Sequence, residues 1–319
     1  MQLYQFLSTE LSTSKHEIRK FVLSAPKMYK IYTIPKRTSG KRTIAHPAKK
    51  LKEYQRTLIS LLEQSLPVHD VAFAYKKNTG IKQNAEQHQQ SKYLLKMDFQ
   101  NFFHSITPDL FFSILKKLKI DPIQEDRYIL SQILFWNPSK RSGGKLILSI
   151  GAPSSPFISN VIMFFFDQVL YSECQKQGIT YTRYADDISF SSNTKNTLFE
   201  IPHLVKKLLV EHFNGVITVN ESKTVFSSKA HNRHITGITL TNENKLSIGR
   251  QKKRYISSLI HQFSLGQLPT EDIHYLQGLL AFACYIEPDF KQRMIKKYSF
   301  ETINQIITSV VGEDEPIRK

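Results

Sequence analysis

The stretch YTRYADDISF, residues 181–190, places two adjacent carboxylates in the middle of an apolar run that otherwise has the pattern of strand, tight turn and strand. Asp is common in tight turns because its side chain bonds to nearby backbone amides. That explains one of the two residues well and the second less well, since adjacent carboxylates repel each other unless a cation lies between them. The neighbouring Tyr184 and Ile188 favour a hairpin packed into a core, with an acidic surface turn as the alternative. Asp186 and Asp187 are therefore candidate cation ligands.

A third acidic residue ends another predicted strand. Asp98 closes KYLLKMD and is followed at once by FQNFF. Hard divalent cations such as Mg²⁺ bind through a few carboxylates and complete their shells with water and substrate phosphate. Two such ions about 4 Å apart can activate a hydroxyl and stabilise a leaving pyrophosphate in an in-line phosphoryl transfer. One acid at a strand end and two on a neighbouring hairpin fit that arrangement.

The chain carries a large positive charge. Its 319 residues have a formal net charge of +17, and residues 1–60 hold thirteen Lys or Arg against three acidic residues. A large anionic partner is therefore expected. Nucleic acid is favoured over a membrane surface, because the sequence has no apolar run of eighteen residues and its basic segments alternate with strand patterns. The first twenty residues lack the apolar centre of a signal peptide, so we expect a cytoplasmic protein.

Hydrophobic periodicity predicts a mixed α and β body followed by a helical tail. A capping box at Ser14 and Glu17 predicts a helix that ends before Pro26. Thr107 and Pro108 predict the start of another helix. The segments YKIYTIP and KRTIAHP predict a basic hairpin, and the further strands predicted are KLILSI, VITVN, KTVFSS, HITGITLT and KLSIG. The further helices predicted in the body are KQNAEQHQQ, one long helix from Ser155 to near Gly178, and a helix over 198–213. Three helices are predicted in the tail, over about 250–263, 270–286 and 300–310.

The first tail helix has four cations in its first turns. They are Arg250, Lys252, Lys253 and Arg254. Cations at a helix N-terminus oppose the helix dipole, and phosphates of a nucleic acid would compensate them. A solvated charged face is the alternative.

Other chemistries have weak support in the sequence. The eleven His residues form no His-Glu-x-x-His pair, and no Gly-x-x-x-x-Gly-Lys loop occurs. Two Cys residues are too few for a disulfide framework or a cysteine zinc site.

Several blocks of the sequence resemble those of reverse transcriptases and occur in the same order. YADD resembles the catalytic signature, LLKMDFQNFFHSI the block with the first catalytic Asp, GAPSSPFISN the block before the palm helix, VNESKT the lysine block and ITGITL the block after it. Two blocks are more specific. NAEQH resembles the Asn-Ala-x-x-His signature of bacterial retron reverse transcriptases, and ITG resembles their Val-Thr-Gly signature. The resemblance covers about residues 29–255.

The resemblance implies an α+β right-hand polymerase with fingers, an antiparallel palm sheet and an all-helical thumb. The expected segments are an N-terminal helix and fingers at 1–73, the first part of the palm at 74–105, the second part of the fingers at 106–149, the second part of the palm at 150–248, and an RNA-binding thumb at 249–319.

The resemblance also assigns roles to the acidic residues and to one aromatic residue. Asp98 and Asp186 would hold two Mg²⁺ ions, for which Mn²⁺ could substitute, and Asp187 would be the least essential of the three ligands. Phe103 falls where the family has a steric gate, a flat ring that leaves no space for a 2′ hydroxyl. Ordinary core packing would explain one of Phe102 and Phe103 equally well.

Cations would handle the dNTP. Lys36, Lys41 and Arg42 match the basic hairpin that holds the triphosphate, and the planar fork of Arg suits phosphate oxygens. Lys223 matches the lysine block and would protonate or neutralise the leaving pyrophosphate, with a solvated lysine as the alternative. One position departs from the family: Ile150 stands where many relatives have Gln. This departure affects nucleotide handling but removes no metal ligand.

Asn84 and His88 of NAEQH lie four residues apart on a predicted helix and would therefore share a face. By resemblance they would contact the structured RNA that retron enzymes use. A capping pair or a core pair is the alternative.

The implied function is that of a retron reverse transcriptase. Such an enzyme extends from a 2′ hydroxyl of its own noncoding RNA, makes the branched RNA and DNA hybrid called msDNA, and usually guards a toxic effector protein encoded nearby in antiphage defence. No membrane partner is expected. The alternatives are a group II intron or diversity-generating reverse transcriptase, or a non-catalytic scaffold that binds RNA or an effector.

Overall fold

The YTRYADDISF stretch forms the predicted β-hairpin, and the hairpin lies within a larger sheet. In the computed structural model, which describes residues 2–35 and 40–309, four strands are ordered β4, β5, β3, β6. These are β3 (Tyr93–Asp98), β4 (Thr180–Tyr184), β5 (Asp187–Ser192) and β6 (Val225–Ser228). β5 pairs antiparallel with both β4 and β3. It is buried from Ile188 to Ser192, as expected of a strand covered on both faces.

The chain divides into two compact units, and strands β3, β4 and β5 belong to the first. The first unit comprises residues up to 80 together with 93–226. A continuous cluster of buried apolar side chains, from Leu3 to Val219, forms its core. Its other elements are α1 (Leu3–Glu10), α2 (Lys15–Ser24), β1 (Tyr29–Pro35), β2 (Lys41–Pro47), α3 (Lys49–Leu62), α5 (Phe102–Ser105), α6 (Pro108–Lys117), α7 (Gln124–Leu134), α8 (Ser155–Ile162), α9 (Phe164–Lys176) and α10 (Ile201–Phe213).

The second unit combines residues 81–92 with residues from 227 onward. A small antiparallel sheet, ordered β7, β8, β9, lies next to α4 in this unit. Its elements are α4 (Ile81–Glu86), β7 (Arg233–Ile235), β8 (Ile238–Leu240), β9 (Leu246–Ser247), α11 (Arg250–Ser264), α12 (Thr270–Ile286), α13 (Phe290–Tyr298) and α14 (Phe300–Thr308).

The local signals at helix starts and in the basic hairpin are confirmed. The Ser14 side chain accepts from the backbone N–H of Glu17, and the Glu17 carboxylate accepts from the backbone N–H of Ser14. Thr107 caps α6 by accepting from the backbone N–H of Leu110 at 3.3 Å. β1 and β2 have the predicted bounds and pair antiparallel from Tyr29 opposite Pro47 to Pro35 opposite Lys41.

The single long helix predicted from Ser155 is wrong. Two helices occupy this stretch, α8 and α9, and they meet at Met163, whose ψ of −4° departs from helical geometry. Side chains from both helices, Asn160 and Asp167, bond to the same arginine, Arg183. Tertiary contacts of this kind leave no trace in a local apolar pattern.

Two predicted strands are only isolated β-bridges. KLILSI contributes the bridge between Trp136 and Ile147, and VITVN contributes the bridge between Phe99 and Val219. HITGITLT is a hairpin rather than one strand. Its turn residues Thr236 and Gly237 both have positive φ, 47° and 83°, which is the geometry of a two-residue hairpin turn.

The helical tail has four helices in the described residues, not the three predicted. The prediction missed α13, whose end and the start of α14 are both set by Ser299, with φ 82°. The Ser299 hydroxyl accepts from the backbone N–H of Thr302, so it caps the next helix. None of the helices within residues 2–35 and 40–309 combines the length and apolar character needed to cross a membrane.

Replacing Thr107 with Ala should lower the free energy of unfolding by about 1 kcal/mol, because the substitution leaves the Leu110 amide without its cap. Urea denaturation measures the change. The matched control is Ser113→Ala, on the exposed face of the same helix, which should change stability by less than about 0.5 kcal/mol. Equal effects of the two substitutions would contradict the capping role.

Candidate active site

Three acidic residues meet at one end of the four-stranded sheet. Asp98 and Asp187 are directly opposite each other in the register of β3 and β5. Asp186 lies in the turn between β4 and β5, and its carbonyl accepts from the backbone N–H of Phe99 at 3.0 Å. The turn is tight because Ala185 has a left-handed backbone, with φ 58°. The structure therefore brings together the three carboxylates that the sequence analysis singled out.

These carboxylates repel one another. Burial, followed by the charge of Asp98, raises the pKa of Asp186. Burial, the charges of Asp186 and Asp98 and a hydrogen bond with Asp98 raise the pKa of Asp187 to about 7. The Asp187 side chain nevertheless keeps an exposed surface, so water screens part of the repulsion.

Lys223 is the cation next to the three acids. Its Nζ lies 2.7 Å from Oδ2 of Asp98, whose side chain is buried. Burial lowers the pKa of Lys223, but the hydrogen bond and charge of Asp98, together with the charges of Asp186 and Asp187, outweigh it and raise the pKa overall. The backbone N–H of Asn220 donates to the Asp98 carbonyl at 2.7 Å, so the lysine-bearing segment is fastened to the end of β3.

The donor chemistry fits a hard divalent cation. Carboxylate oxygens are the preferred ligands of Mg²⁺, which binds through one or two of them and leaves positions for water and phosphate. Burial and the charges of the neighbouring carboxylates together raise the pKa values of Asp186 and Asp187, and the charge of Lys223 only partly opposes this rise. In the described part of the chain, no three His, Cys, Asp or Glu side chains form a ready-made cage. Substrate phosphate would therefore have to complete the coordination.

A cavity of about 380 Å³ lies in the same unit. Phe103 lines it, whereas Phe102 is buried in the core. The two rings lie edge to face, 5.5 Å apart, so one ring packs the interior and the other faces open space. Cations also line the cavity, namely Lys52 and Arg56 on α3.

Ile150, the residue that departs from the family pattern, lines this cavity too. Its carbonyl accepts from the backbone N–H of Ala45 at 2.9 Å. Gly151 follows with φ 119°, and a Cβ there would lie 3.1 Å from the Ala45 carbonyl oxygen. The loop is therefore attached to β2 by its backbone, and Ile150 supplies an apolar side chain in place of an amide.

Two of the three cations predicted to bind the triphosphate, Lys41 and Arg42, lie within the described residues. Lys41 and Arg42 are exposed at the start of β2. The charge of Arg42 opposes the rise in the pKa of Asp186, so Arg42 lies within electrostatic reach of the acids. Lys36 lies outside the described residues.

Sequence reasoning missed a buried polar network beneath the hairpin. Arg183 and Asp167 are completely buried and form an ion pair, with Nη2 to Oδ2 at 2.7 Å. The Tyr181 hydroxyl donates to the same carboxylate at 2.8 Å, and Arg183 also donates to Asn160. The signal in the sequence was an arginine inside the strand TYTRY, residues 180–184.

The expectation that Asn84 and His88 share a helix face is wrong, because α4 ends at Glu86. Both side chains are also buried, and burial lowers the pKa of His88 to about 3. Because buried side chains cannot contact a bound RNA directly, the positions of Asn84 and His88 indicate that they stabilise the fold of this segment. The second retron signature, ITG at residues 235–237, lies close to α4, because the Thr236 hydroxyl donates to the carbonyl of Ile81 at 3.5 Å.

The predicted cations of α11 are distributed over its first turns. Arg250, Lys252 and Arg254 are exposed, whereas Lys253 pairs with Glu287 at 2.8 Å. An open groove of about 600 Å³ lies alongside in the second unit, and the described residues that line it include no acid. They are Lys253, Arg254, Ser257, Ser258, His261, Met294, Lys297 and Tyr298.

Comparisons with known proteins agree with this geometry. A family model described as "Reverse transcriptase (RNA-dependent DNA polymerase)" matches residues 34–240. The retron Ec83 reverse transcriptase of Escherichia coli is 50% identical over 278 residues, which cover 87% of this chain and 89% of that protein. The retron Ec73 reverse transcriptase of the same organism is 30% identical over 318 residues, covering 96% and 98%.

One solved structure supports the fold alone. Telomerase from Candida albicans, in complex with a fragment of telomeric RNA, superposes with a TM-score of 0.51 at 12% identity. The match covers 92% of this chain and 59% of the telomerase chain. The α+β polymerase fold and the family match agree, and the chain belongs to the retron reverse transcriptases, which are RNA-directed DNA polymerases.

Proposed function

We propose that this reverse transcriptase copies its own structured noncoding RNA, starts from a 2′ hydroxyl of that RNA and produces branched msDNA. One observation carries the catalytic part of the proposal. Asp98, Asp186 and Asp187 lie together at one sheet end, with Lys223 beside them. The branched product rests on the likeness to retron relatives, whose signatures NAEQH and ITG this chain resembles.

We propose that Asp98 and Asp186, with Asp187 as the third and least essential ligand, hold two Mg²⁺ ions, for which Mn²⁺ can substitute. When bound, such ions polarise the attacking hydroxyl and neutralise charge on the phosphates. The carboxylates provide the site in a form that is electrostatically unfavourable until positive charge arrives, because like charges held close together raise each other's pKa.

Lys223 is proposed as the proton donor to the leaving pyrophosphate. Its raised pKa keeps Nζ protonated at neutral pH. In the structure that proton-bearing nitrogen is bonded to Asp98. Once other cations neutralise Asp98, Nζ is free to donate to a phosphate oxygen.

The basic hairpin and the cavity are proposed to hold the dNTP. Lys36, Lys41 and Arg42 would bind its triphosphate, which suits two exposed cations at the start of β2. Phe103 would lie under the sugar and exclude a 2′ hydroxyl, which suits its place on the wall of the cavity. Ile150 would contact the nucleotide through its apolar side chain.

The RNA is proposed to bind the second unit. Arg250, Lys252, Lys253 and Arg254 supply the charge, and the acid-free groove beside them suits a phosphate backbone. Asn84 and His88, being buried, would shape this unit. In this proposal the fingers comprise 1–73 and 106–149, the palm 74–105 and 150–248, and the thumb 249–319.

Two further proposals concern location and partner. The protein would act in the cytoplasm, because its first twenty residues lack the apolar centre of a signal peptide. By the retron likeness alone, it would bind an effector protein encoded nearby as part of antiphage defence.

The product tests the function directly. Full-length protein, purified with its bound RNA and supplied with Mg²⁺ and dNTPs, should make DNA joined to RNA through a 2′ branch, detected by sequencing and by sensitivity to a debranching enzyme. Asp186→Ala should make no DNA, and the exposed control Asp70→Ala should make normal amounts. Equal synthesis by Asp186→Ala would overturn the catalytic assignment, whereas cDNA primed only from a 3′ end would overturn the branched product.

Removing one of the repelling carboxylates should stabilise the metal-free protein at high pH. Because Asp187 has a folded-state pKa of about 7 against an ordinary value of 3.8, it costs stability progressively as the pH rises from about 4 to about 7. In EDTA, Asp187→Asn should therefore have a higher Tm than the native protein at pH 8, and the difference should narrow towards pH 4.

Mg²⁺ should reverse this order at pH 8 by stabilising the native protein more than Asp187→Asn. Thermal unfolding measures both effects. The control is Asp70→Asn, because a bond to Lys76 lowers the pKa of Asp70, so its loss should leave Tm unchanged or lower. If the native protein were more stable than Asp187→Asn at pH 8 in EDTA, the claim that the ionised Asp187 carboxylate destabilises the metal-free protein would be wrong.

Truncating the cavity wall should relax sugar selection. Phe103→Ala should raise the efficiency of ribonucleotide incorporation relative to deoxynucleotides by about tenfold or more, because it opens space for a 2′ hydroxyl. Single-nucleotide extension with each sugar measures the ratio. Phe102→Leu, a change in the buried neighbouring ring, should cost stability and leave the ratio unchanged. If Phe103→Ala left the ratio of ribonucleotide to deoxynucleotide incorporation unchanged, Phe103 would not be the steric gate.

A further inference from the structure

Hydrogen bonds connect the four polar side chains of the network beneath the acidic turn, which are those of Asn160, Asp167, Tyr181 and Arg183. Arg183 Nε lies 3.0 and 3.1 Å from the two carboxylate oxygens of Asp167, and Nη2 lies 2.7 Å from Oδ2. Tyr181 donates to Oδ1 at 2.8 Å. Both charged side chains are completely buried, so each requires the other, since an unpaired buried charge is strongly destabilising.

The same guanidinium reaches the turn itself. Arg183 Nη1 donates to the carbonyl of Ala185 at 3.2 Å and to Oδ1 of Asn160 at 3.0 Å. Asn160 is held in turn, because its Nδ2 donates to the carbonyl of Ala74 at 2.9 Å. The Ala185 carbonyl belongs to the peptide unit that continues into Asp186. The direction of that peptide therefore depends on a side chain that is braced on two sides.

That peptide needs support. Ala185 has φ 58°, a left-handed conformation that is unfavourable for a residue with a Cβ. Asp186 and Asp187 follow immediately and repel each other. A hydrogen bond from a fixed donor to the Ala185 carbonyl favours the strained conformation over alternatives that would spread the two acids apart.

Stability alone does not account for this ion pair. A buried pair is often no more stabilising than apolar side chains of the same volume. The charge of Arg183 is also matched by Asp167, so the arginine adds little net positive charge to the acids. The pair supplies a planar guanidinium that Asp167 holds through Nε and Nη2, so that Nη1 is left to donate to the Ala185 carbonyl. An apolar side chain cannot supply such a donor.

We propose that Arg183, oriented by Asp167 and Asn160, is a positioning residue that fixes the peptide between Ala185 and Asp186 and thereby sets how tightly the acidic site binds divalent cations. The inference rests on the proposed metal-binding role of these acids. Arg183 touches neither substrate nor cation, and it acts through the backbone of the turn.

Two substitutions test the proposal in the full-length protein with its bound RNA. Arg183→Lys keeps the positive charge but loses the planar guanidinium whose Nη1 donates to the Ala185 carbonyl. Asn160→Ala keeps the ion pair between Arg183 and Asp167 but removes the hydrogen bond from Nη1 to the Asn160 side chain. Each should raise the Mg²⁺ concentration for half-maximal primer extension, by about ten- to hundredfold for Arg183→Lys, the range for outer partners of metal ligands. Saturating Mg²⁺ should recover most of the rate, and affinity for the RNA should not change.

A second readout measures the site without catalysis. Mn²⁺ titration followed by electron paramagnetic resonance, without dNTPs, should show weaker binding to both variants. The matched control is Asp126→Ala, which removes a buried carboxyl of the same unit that accepts from the backbone N–H of Leu3 at 2.8 Å. It should lower Tm without moving either the Mg²⁺ requirement or the Mn²⁺ affinity.

The outcomes separate the two proposals. If both variants lose activity only in proportion to their lower Tm, with Mn²⁺ affinity equal to that of the control, Arg183 is merely structural and the inference fails. If Arg183→Lys does not fold, Asn160→Ala decides by the same criterion. Failure of the catalytic proposal would be seen separately, as DNA synthesis by Asp186→Ala.

Discussion

The repulsion among three carboxylates at one sheet end is the constraint around which this structure is organised. Antiparallel register places Asp98 opposite Asp187, and the tight turn adds Asp186. Burial, together with the charges of the neighbouring carboxylates, raises the pKa values of Asp186 and Asp187 and so disfavours their ionised forms. The cluster persists because the surrounding backbone is fastened at several points. A cation placed between the carboxylates would relieve this repulsion.

Two kinds of compensation surround the cluster, and they act differently. Lys223 supplies positive charge from the side and is itself half-exposed, so this ion pair can break when substrate arrives. Arg183 lies beneath the turn and is fully buried with its partner, so this pair cannot break without a large cost. One ion pair is suited to exchange during a reaction, and the other is suited to holding the backbone still.

Local patterns predicted the local parts of this structure. The capping box at Ser14, the cap at Thr107 and the basic hairpin depend on neighbours within a few residues, and the expected acids meet because strand ends and a hairpin turn determine their place. The helices on either side of Met163 both bond to Arg183, which is distant in sequence, and the burial of His88 is likewise a property of the folded chain. The Arg183 network was missed for the same reason: the arginine within a strand was a signal, but its partners Asn160 and Asp167 lie 23 and 16 residues away in the sequence.

The division into two units separates chemistry from family signature. All three acids lie in the first unit, whereas both retron signatures, NAEQH and ITG, lie in the second. Asn84 and His88 are buried there, and Thr236 bonds to the segment that carries them. A buried signature specifies the shape of a unit rather than a contact made by its own side chains. In this chain the two signatures therefore support the fold of the second unit, whose surface carries exposed cations such as Arg250 and Arg254, whereas the register of a sheet brings the three acids together in the first unit.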